Sequence, residues 1–247
     1  MKVSIITITY NSAGTVEQTI KSVLDQTYRD IEYIIIDGQS ADNTLEIVNR
    51  YKDKIAKVIS EEDKGLYDAL NKGIANATGD VIGIIHSDDF YTNTHVIADV
   101  VKTFTDNSAD AVYANLYYVD KDDITKIKRK WHSGKYTEGA FLNGWMPPHP
   151  TFFVKKEIYA QYGNYYTGFV SAADYEMMLR LIHKQKIKLA YLDEYIVKMR
   201  MGGVSNVNVK NRFNANLEDR KAWEMNGLKP RFYTLTIKPI RKIFQFF

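Results

Sequence analysis

Two hydrophobic periods alternate along the first half of the chain. Val3–Thr9 is a short β-branched run, and within Ala13–Asp25 the residues Val16, Ile20, Val23 and Leu24 recur at helical spacing. Ile31–Asp37 is a second apolar run, with a helical pattern over Thr44–Tyr51 behind it. Ile55–Ser60 and Leu66–Ala77 read as a third strand and a third helix, the helix with an apolar stripe of Leu66, Ala69, Leu70 and Ile74. Val81–Ile85 is a fourth strand, between Gly79 and the polar run His86-Ser87-Asp88-Asp89. This β-α-β-α-β-α-β order predicts an α/β fold with a mostly parallel, doubly wound sheet. Ligands of such sheets bind at the carboxyl ends of the strands. The clusters Thr9-Tyr10-Asn11, Asp37-Gly38-Gln39-Ser40 and His86–Asp89 fall there.

The second half is less regular. His95–Thr105 reads as a helix and Ala111–Val119 as a strand, and the charged Lys121–Lys130 as an exposed hairpin or loop. Pro147-Pro148-His149-Pro150 is a rigid turn before a strand over Thr151–Val154. Asp174–His183 is helical, Lys188–Tyr191 and Tyr195–Arg200 look like strands, and Lys210–Met225 is a helix beyond the Gly202-Gly203 break.

Composition narrows the chemistry. The 247 residues contain no cysteine, which excludes disulfides, thiolate metal sites and cysteine nucleophiles and fits a reducing cytoplasm. A net charge of +3 gives no footprint for nucleic acid. No apolar stretch approaches the roughly 20 residues that span a bilayer, and the N-terminal run lacks a signal-peptide cleavage site.

Adjacent carboxylates at Asp88-Asp89, after a buried strand, repel each other unless a cation compensates. Oxygen ligands suit Mg²⁺ or Mn²⁺, which often bridge substrate phosphates; an acidic turn before the next helix is the plainer alternative. Asp37 can accept from a nucleobase N–H or a ribose hydroxyl, or belong to a helix-capping turn with Ser40, Asp42 and Asn43. Asp68 and Asn71 share one helix face, either toward a nucleotide or toward solvent.

In order along the chain, the runs Ser4–Asn11, Tyr33–Gly38, Asp63–Gly73, Ser87-Asp88-Asp89, Pro148–Phe153 and Ala173-Asp174-Tyr175-Glu176 resemble a family 2 glycosyltransferase of the GT-A fold, close to bacterial exopolysaccharide and colanic-acid-type enzymes. The resemblance covers roughly residues 1–205. It implies a GT-A domain over 1–205, with a nucleotide-sugar-binding half over 1–119 and an acceptor half over 120–205, and a C-terminal helical extension over 206–247. It implies that Thr9, Tyr10, Asn11 and Asp37 surround the nucleoside and that Lys64 and Asn71 line the donor site. Asp88 and Asp89 would serve ribose and metal, with Mg²⁺ or Mn²⁺ as cofactor, and Arg200, Gly202, Gly203 and Ser205 a loop closing over the donor. Asp174 would take the proton of an acceptor hydroxyl, with Glu176 the next carboxylate; as a plain structural residue it would be a helix N-terminal acid. His149 would contact the leaving phosphate or the acceptor, or be structural, and His86 would contact the metal or pack.

The family often has an acid two residues before Asp88, where this chain has His86, and an acid before the base, where it has Ala173. The Gln-x-x-Arg-Trp motif of processive synthases is absent, which points to transfer of a single sugar. The expected reaction is therefore an inverting transfer from a nucleotide-sugar, UDP-linked donor to a glycan or polyprenyl-linked acceptor. Two other readings stand beside it: a sugar nucleotidyltransferase, which should carry a glycine-rich loop after the first strand, and a non-catalytic sugar-binding module; a Rossmann dehydrogenase lacks its Gly-x-Gly-x-x-Gly fingerprint here. Residues 229–247 carry Lys229, Arg231, Lys238, Arg241 and Lys242 with apolar residues near helical spacing, interrupted by Pro239. Such a helix can lie on the anionic inner face of the plasma membrane, or pack on the domain or on a second subunit of a homo-oligomer.

Overall fold

In chain order the strands are β1 (Val3–Thr9), β2 (Ile31–Asp37), β3 (Lys57–Ser60), β4 (Val81–Ile84), β5 (Phe90–Tyr91), β6 (Ala111–Val119), β7 (Ile127–Trp131), β8 (Phe153–Lys155) and β9 (Leu189–Arg200). The helices are α1 (Val16–Leu24), α2 (Thr44–Asn49), α3 (Leu66–Asn76), α4 (Val96–Asn107), α5 (Lys156–Tyr162), α6 (Ala173–Met178), α7 (Val209–Met225) and α8 (Thr234–Ile243). The computed structural model describes residues 1–202 and 209–243.

β1 is buried at all seven positions, which explains its unbroken apolar sequence. It pairs in parallel with β2 and β4, and β3 extends the parallel half beyond β2. Beyond β4 the sheet becomes mixed: β8 is antiparallel to both β4 and β6, β6 is parallel to β9, and β5 closes the edge against β9. β7 turns back on β6, so the charged stretch after Val119 is a hairpin. Successive β1 residues face opposite sides of the sheet. Ile6 joins one core cluster with Ile34, Leu70 and Tyr113, and Ile5 joins the other with Ile20, Ile35 and Val100.

Beyond shifts of a residue or two at element ends, the structure differs from the sequence reading in three places. Lys188–Tyr191 and Tyr195–Arg200 belong to one strand, because Asp193 and Glu194 stay in β9 while its register against β6 shifts around Asn115. The helix beginning at Ala173 changes after Met178 into a π-helical turn over Leu179–Lys184. In α3 the buried stripe contains Tyr67, Ala69, Leu70, Gly73 and Ile74, while Leu66 is exposed. Gly73 is the point of closest approach: a Cβ there would lie 2.4 Å from Ile6 Cγ2, so only glycine lets α3 sit this close to β1.

The C-terminal helices complete the core. Ala222, Trp223 and Leu235 lie in the cluster of Ile6 and Tyr113, and Trp223 Nε1 donates to the Tyr175 hydroxyl at 2.9 Å. Among the described residues no helix is long and apolar enough to cross a membrane.

Candidate active site

The ends of β1 and β2 are tied together residue by residue. Thr9 and Asp37 are register partners, and the Gly38 N–H donates to the Thr9 carbonyl at 3.0 Å. Asn11 adopts φ 48°, a left-handed conformation that Asn tolerates better than most residues. Its N–H donates to Ser40 Oγ at 2.8 Å and its Oδ1 accepts from the Ala41 N–H at 2.8 Å. Asp37 is fully buried and accepts from the Ser40 N–H (3.0 Å), Ser40 Oγ (2.5 Å) and Ser60 Oγ (2.7 Å). It thus links the ends of β2 and β3. Thr9 Oγ1 is buried without a hydrogen-bond partner, and the neighbouring Tyr10 is 64% exposed. An unsatisfied buried hydroxyl is uncommon and marks a place where a ligand's polar group could bind.

At the β3 end, Lys64 is exposed and its N–H donates to Asp68 Oδ2 at 3.0 Å. Asn71 holds the backbone of Tyr165 from both ends of its amide, donating to the carbonyl at 2.9 Å and accepting from the N–H at 3.0 Å. Its amide therefore anchors the loop before α6.

The acidic pair divides. Asp88 is half-buried, whereas Asp89 is fully buried and neither of its carboxylate oxygens has a hydrogen-bond partner. Burial pushes the Asp89 carboxyl well up and the Asp88 charge adds to this, while Arg200 works the other way. The Arg200 guanidinium donates to the Asp88 carbonyl and to Gln18 Oε1, clamping this loop to β9 and α1. Gly203 and Ser205, expected in the same loop as Arg200, lie outside the described residues.

Next to the pair, the chain brings together residues from four separate segments. His86 Nε2 lies 3.1 Å from His149 Nε2, and His149 Nδ1 lies 3.3 Å from Asp174 Oδ2. On the other side of that carboxylate, the Tyr67 hydroxyl donates to Asp174 Oδ1 at 3.5 Å. Pro148 and Pro150 fix the turn that carries His149, and α6 carries Asp174 in its first turn. Burial lowers both histidines to about 4; for His86 the neighbouring His149 adds to this, and Asp88 and Asp174 oppose it. Both rings are therefore neutral near pH 7. Tyr67 was not singled out in the sequence, where it lies within the run Asp63–Gly73 but outside the apolar stripe of Leu66, Ala69, Leu70 and Ile74. Glu176, the alternative base, is buried and bound by Arg180 (2.9 and 3.1 Å) and by Asn226 (3.0 Å). It is not available to an acceptor.

Among the described residues no group of three His, Asp or Glu side chains converges as a metal cage. Asp88 at the open side, with the unpaired Asp89 carboxylate behind it, instead fits a hard cation that takes most of its ligands from phosphates and water.

Comparison with known proteins agrees with this geometry. The family model described as glycosyl transferase family 2 matches residues 4–170. An uncharacterized glycosyltransferase of Mycobacterium tuberculosis (strain CDC 1551 / Oshkosh) is 34% identical over 180 residues, 72% of this chain and 68% of the relative. The Escherichia coli UDP-Glc:alpha-D-GlcNAc-diphosphoundecaprenol beta-1,3-glucosyltransferase WfaP is 36% identical over 123 residues, 49% of this chain and 48% of that protein. Among solved structures, Staphylococcus aureus TarS 1–349 in complex with UDP-GlcNAc has a TM-score of 0.68 at 17% identity, covering 92% of this chain and 65% of that one. This chain thus spans less than two thirds of that protein's length. The mannosyltransferase PcManGT from Pyrobaculum calidifontis, in complex with GDP-Man and Mn²⁺, has a TM-score of 0.67 at 20% identity, covering 98% and 69%. These likenesses show a GT-A fold, and with the family model matched over more than half of its length this chain belongs to glycosyl transferase family 2.

Proposed function

We propose that this glycosyltransferase moves one sugar, with inversion, from a UDP-linked donor to a hydroxyl of a glycan or lipid-linked acceptor in bacterial surface polysaccharide synthesis. One observation carries the reading: Asp174 is held between His149 (3.3 Å) and Tyr67 (3.5 Å), and His149 connects it through His86 to the segment bearing Asp88 and Asp89. A carboxylate so oriented suits a general base, beside an acidic pair that would meet the donor diphosphate through a bound cation.

The nucleoside would lie against Thr9, Tyr10, Asn11 and Asp37, where the unpaired Thr9 hydroxyl offers a contact. Lys64 would approach the donor from the β3 end. Asp174 would take the acceptor's O–H proton as that oxygen bonds to the anomeric carbon. The bond from that carbon to the donor phosphate oxygen would break on the opposite face, its electron pair leaving with the nucleoside diphosphate. One displacement inverts the anomeric centre. Asp88, backed by Asp89, would hold Mg²⁺ or Mn²⁺, which when bound supplies charge neutralisation to the leaving diphosphate. Donors UDP-Glc and UDP-GlcNAc appear with WfaP and TarS, and GDP-Man with PcManGT, which supports a nucleotide-sugar and favours UDP.

The test is to screen nucleotide-sugars for thermal stabilisation with and without Mn²⁺, then to read the product's anomeric configuration by NMR. Stabilisation by a UDP-sugar and an inverted product are expected. Retention of configuration, or no response to any nucleotide-sugar, would overturn the reading.

A further inference from the structure

The segment that leads into Asp174 is held by side chains from α3, α7 and the π-helical turn. At its start the Arg180 guanidinium donates to the carbonyls of Tyr162, Gly163 (2.9 Å) and Asn164 (2.7 Å). In its middle the Asn71 amide clasps the backbone of Tyr165, and Phe169 is buried with Lys221 Nζ 5.8 Å from its ring centre. At its end the Glu218 carboxylate, from α7, accepts from the Val170 N–H (2.8 Å), the Ser171 N–H (2.9 Å) and Ser171 Oγ (3.1 Å).

The last anchor matters most for Asp174. Val170 is 86% exposed, so burial of its side chain does little to fix this end of the segment. α6 has six residues, and its N-cap Ala172 makes no side-chain cap hydrogen bond. A helix this short is not stable by itself, so its start is set by what packs beside it. Ser171 stands three residues before Asp174, which keeps their Cα atoms within about 11 Å. The bonds to Glu218 are charge-assisted, and such bonds are the shorter and stronger kind.

α7 runs along α6 and holds it at successive turns. Glu218, Ala222 and Asn226 recur four residues apart and share a face. Ala222 is buried, Asn226 Nδ2 donates to Glu176 Oε1 at 3.0 Å, and Trp223 Nε1 donates to the Tyr175 hydroxyl at 2.9 Å. Glu218 begins this row at the end nearest the start of α6. Its charge is also felt on the far side of the base. Burial raises the Tyr67 phenol, the Asp174 and Glu218 charges add to this, and the N–H groups of Ala173 and Asp174 oppose it. Tyr67 therefore stays protonated and can donate to Asp174.

We propose that Glu218 is a positioning residue for the transfer reaction. It fixes the N-terminal end of α6 and thereby aims the Asp174 carboxylate between His149 and Tyr67. The proposal rests on the transfer reading above, in which Asp174 is the base, and adds the side chain that sets its place.

The full chain is tested as Glu218→Ala, Glu218→Gln, Asp174→Asn and the double variant Glu218→Ala with Asp174→Asn. Turnover is read as UDP release from UDP-glucose and UDP-N-acetylglucosamine with Mn²⁺, water serving as acceptor. Glu218→Ala should lower kcat on the order of 10- to 100-fold, because a misplacement of about 1 Å caused from outside the chemistry can cost that much. The donor KM should not change. Glu218→Gln keeps one carbonyl acceptor and should recover part of the loss. In the Asp174→Asn background Glu218→Ala should cost almost nothing further, since residues acting through one group are not additive. Hydrogen exchange followed by mass spectrometry, which needs no substrate, should speed up over residues 170–176 in Glu218→Ala and stay unchanged in β1 and β4. Unchanged kcat in Glu218→Ala would overturn the proposal, and so would an equal fold-loss in both backgrounds. Faster exchange without loss of turnover would leave Glu218 a structural tie only. A parent chain that releases no UDP counts against the transfer reading, whereas the exchange result still decides whether Glu218 fixes α6.

Discussion

His86 and His149 face each other through their Nε2 atoms at 3.1 Å, and the other ring nitrogen of His149 lies 3.3 Å from Asp174. Both rings are neutral, so one Nε2 donates and the other accepts. If His149 donates from Nδ1 to Asp174, its Nε2 is the acceptor and His86 the donor. Residues from the β4 loop, a proline-fixed turn and α6 then share one proton arrangement.

Asp174→Asn preserves size and removes the basic carboxylate. Turnover should fall by roughly 10²–10⁴-fold, the usual share of general base catalysis. Donor affinity measured by calorimetry should hold. Near-normal turnover would remove Asp174 from the base role, and Glu176 could not replace it, since Arg180 and Asn226 already occupy its carboxylate.

The parallel half was legible because each strand is a continuous apolar run ended by polar residues. Val3–Thr9 and Ile31–Asp37 were read to the residue. β5, with two residues, is too short to leave a periodic signal, and α5 begins inside a charged stretch. Within the site, the strand-end positions of Asp37 and Asp88 followed from topology. The contacts of Tyr67 and His86 did not, because |i−j| separations of 107 and 63 are set by tertiary packing alone. The anchoring of Asn71 on Tyr165 was equally hidden: a polar helix face looks the same whether it meets a ligand or a loop.

Gly73→Ala tests the packing of α3 on β1. The added methyl would lie 2.4 Å from Ile6 Cγ2, so the helix must shift. A loss of about 1–3 kcal/mol in urea unfolding is expected, the usual cost of overpacking. Unchanged stability would mean that Ile6 moves aside freely.

Glu32 supplies a pH test of stability. Burial by itself would raise its carboxyl, but hydrogen bonds from Ser4, Thr78 and Lys2 outweigh it and pull the value from 4.5 to about 2. A depressed acid stabilises the fold fully above its unfolded value and loses that contribution as pH falls through its folded value. Glu32→Gln should therefore cost on the order of 2 kcal/mol at pH 7. The difference from the parent chain should shrink between about pH 4.5 and about pH 2. A constant difference across that window would show that the charge contributes nothing.

Phe232 is 97% exposed beside the exposed Lys229 and Arg231. Removing residues 232–247 is not a clean membrane test, because Thr234 and Leu235 are buried in the body; Phe244 and Phe247 lie outside the described residues. Phe232→Ser is the cleaner change. It should weaken binding to anionic vesicles by roughly 10- to 100-fold, in line with about 1.5–3 kcal/mol for burying such a side chain, and leave Tm unaltered. Equal partitioning of both proteins would count against a membrane role for this corner.

The acidic pair separates cation binding from folding, because its two members occupy different environments. Asp89 is enclosed with both oxygens unpaired, which costs stability when no cation is present. Asp89→Asn keeps the shape and removes the cost of burying this carboxyl, whose value burial pushes well up. In metal-free buffer at pH 7 this variant should melt higher than the parent chain. Asp88 is half-buried at the open side, so Asp88→Ala should change the metal-free Tm little. In both variants the additional stabilisation given by Mn²⁺ together with UDP should be lost, and chelator should no longer affect activity. If Asp89→Asn melts lower without metal, the carboxylate has a structural partner in solution. If Asp88→Ala retains the full Mn²⁺ response, the cation is held elsewhere.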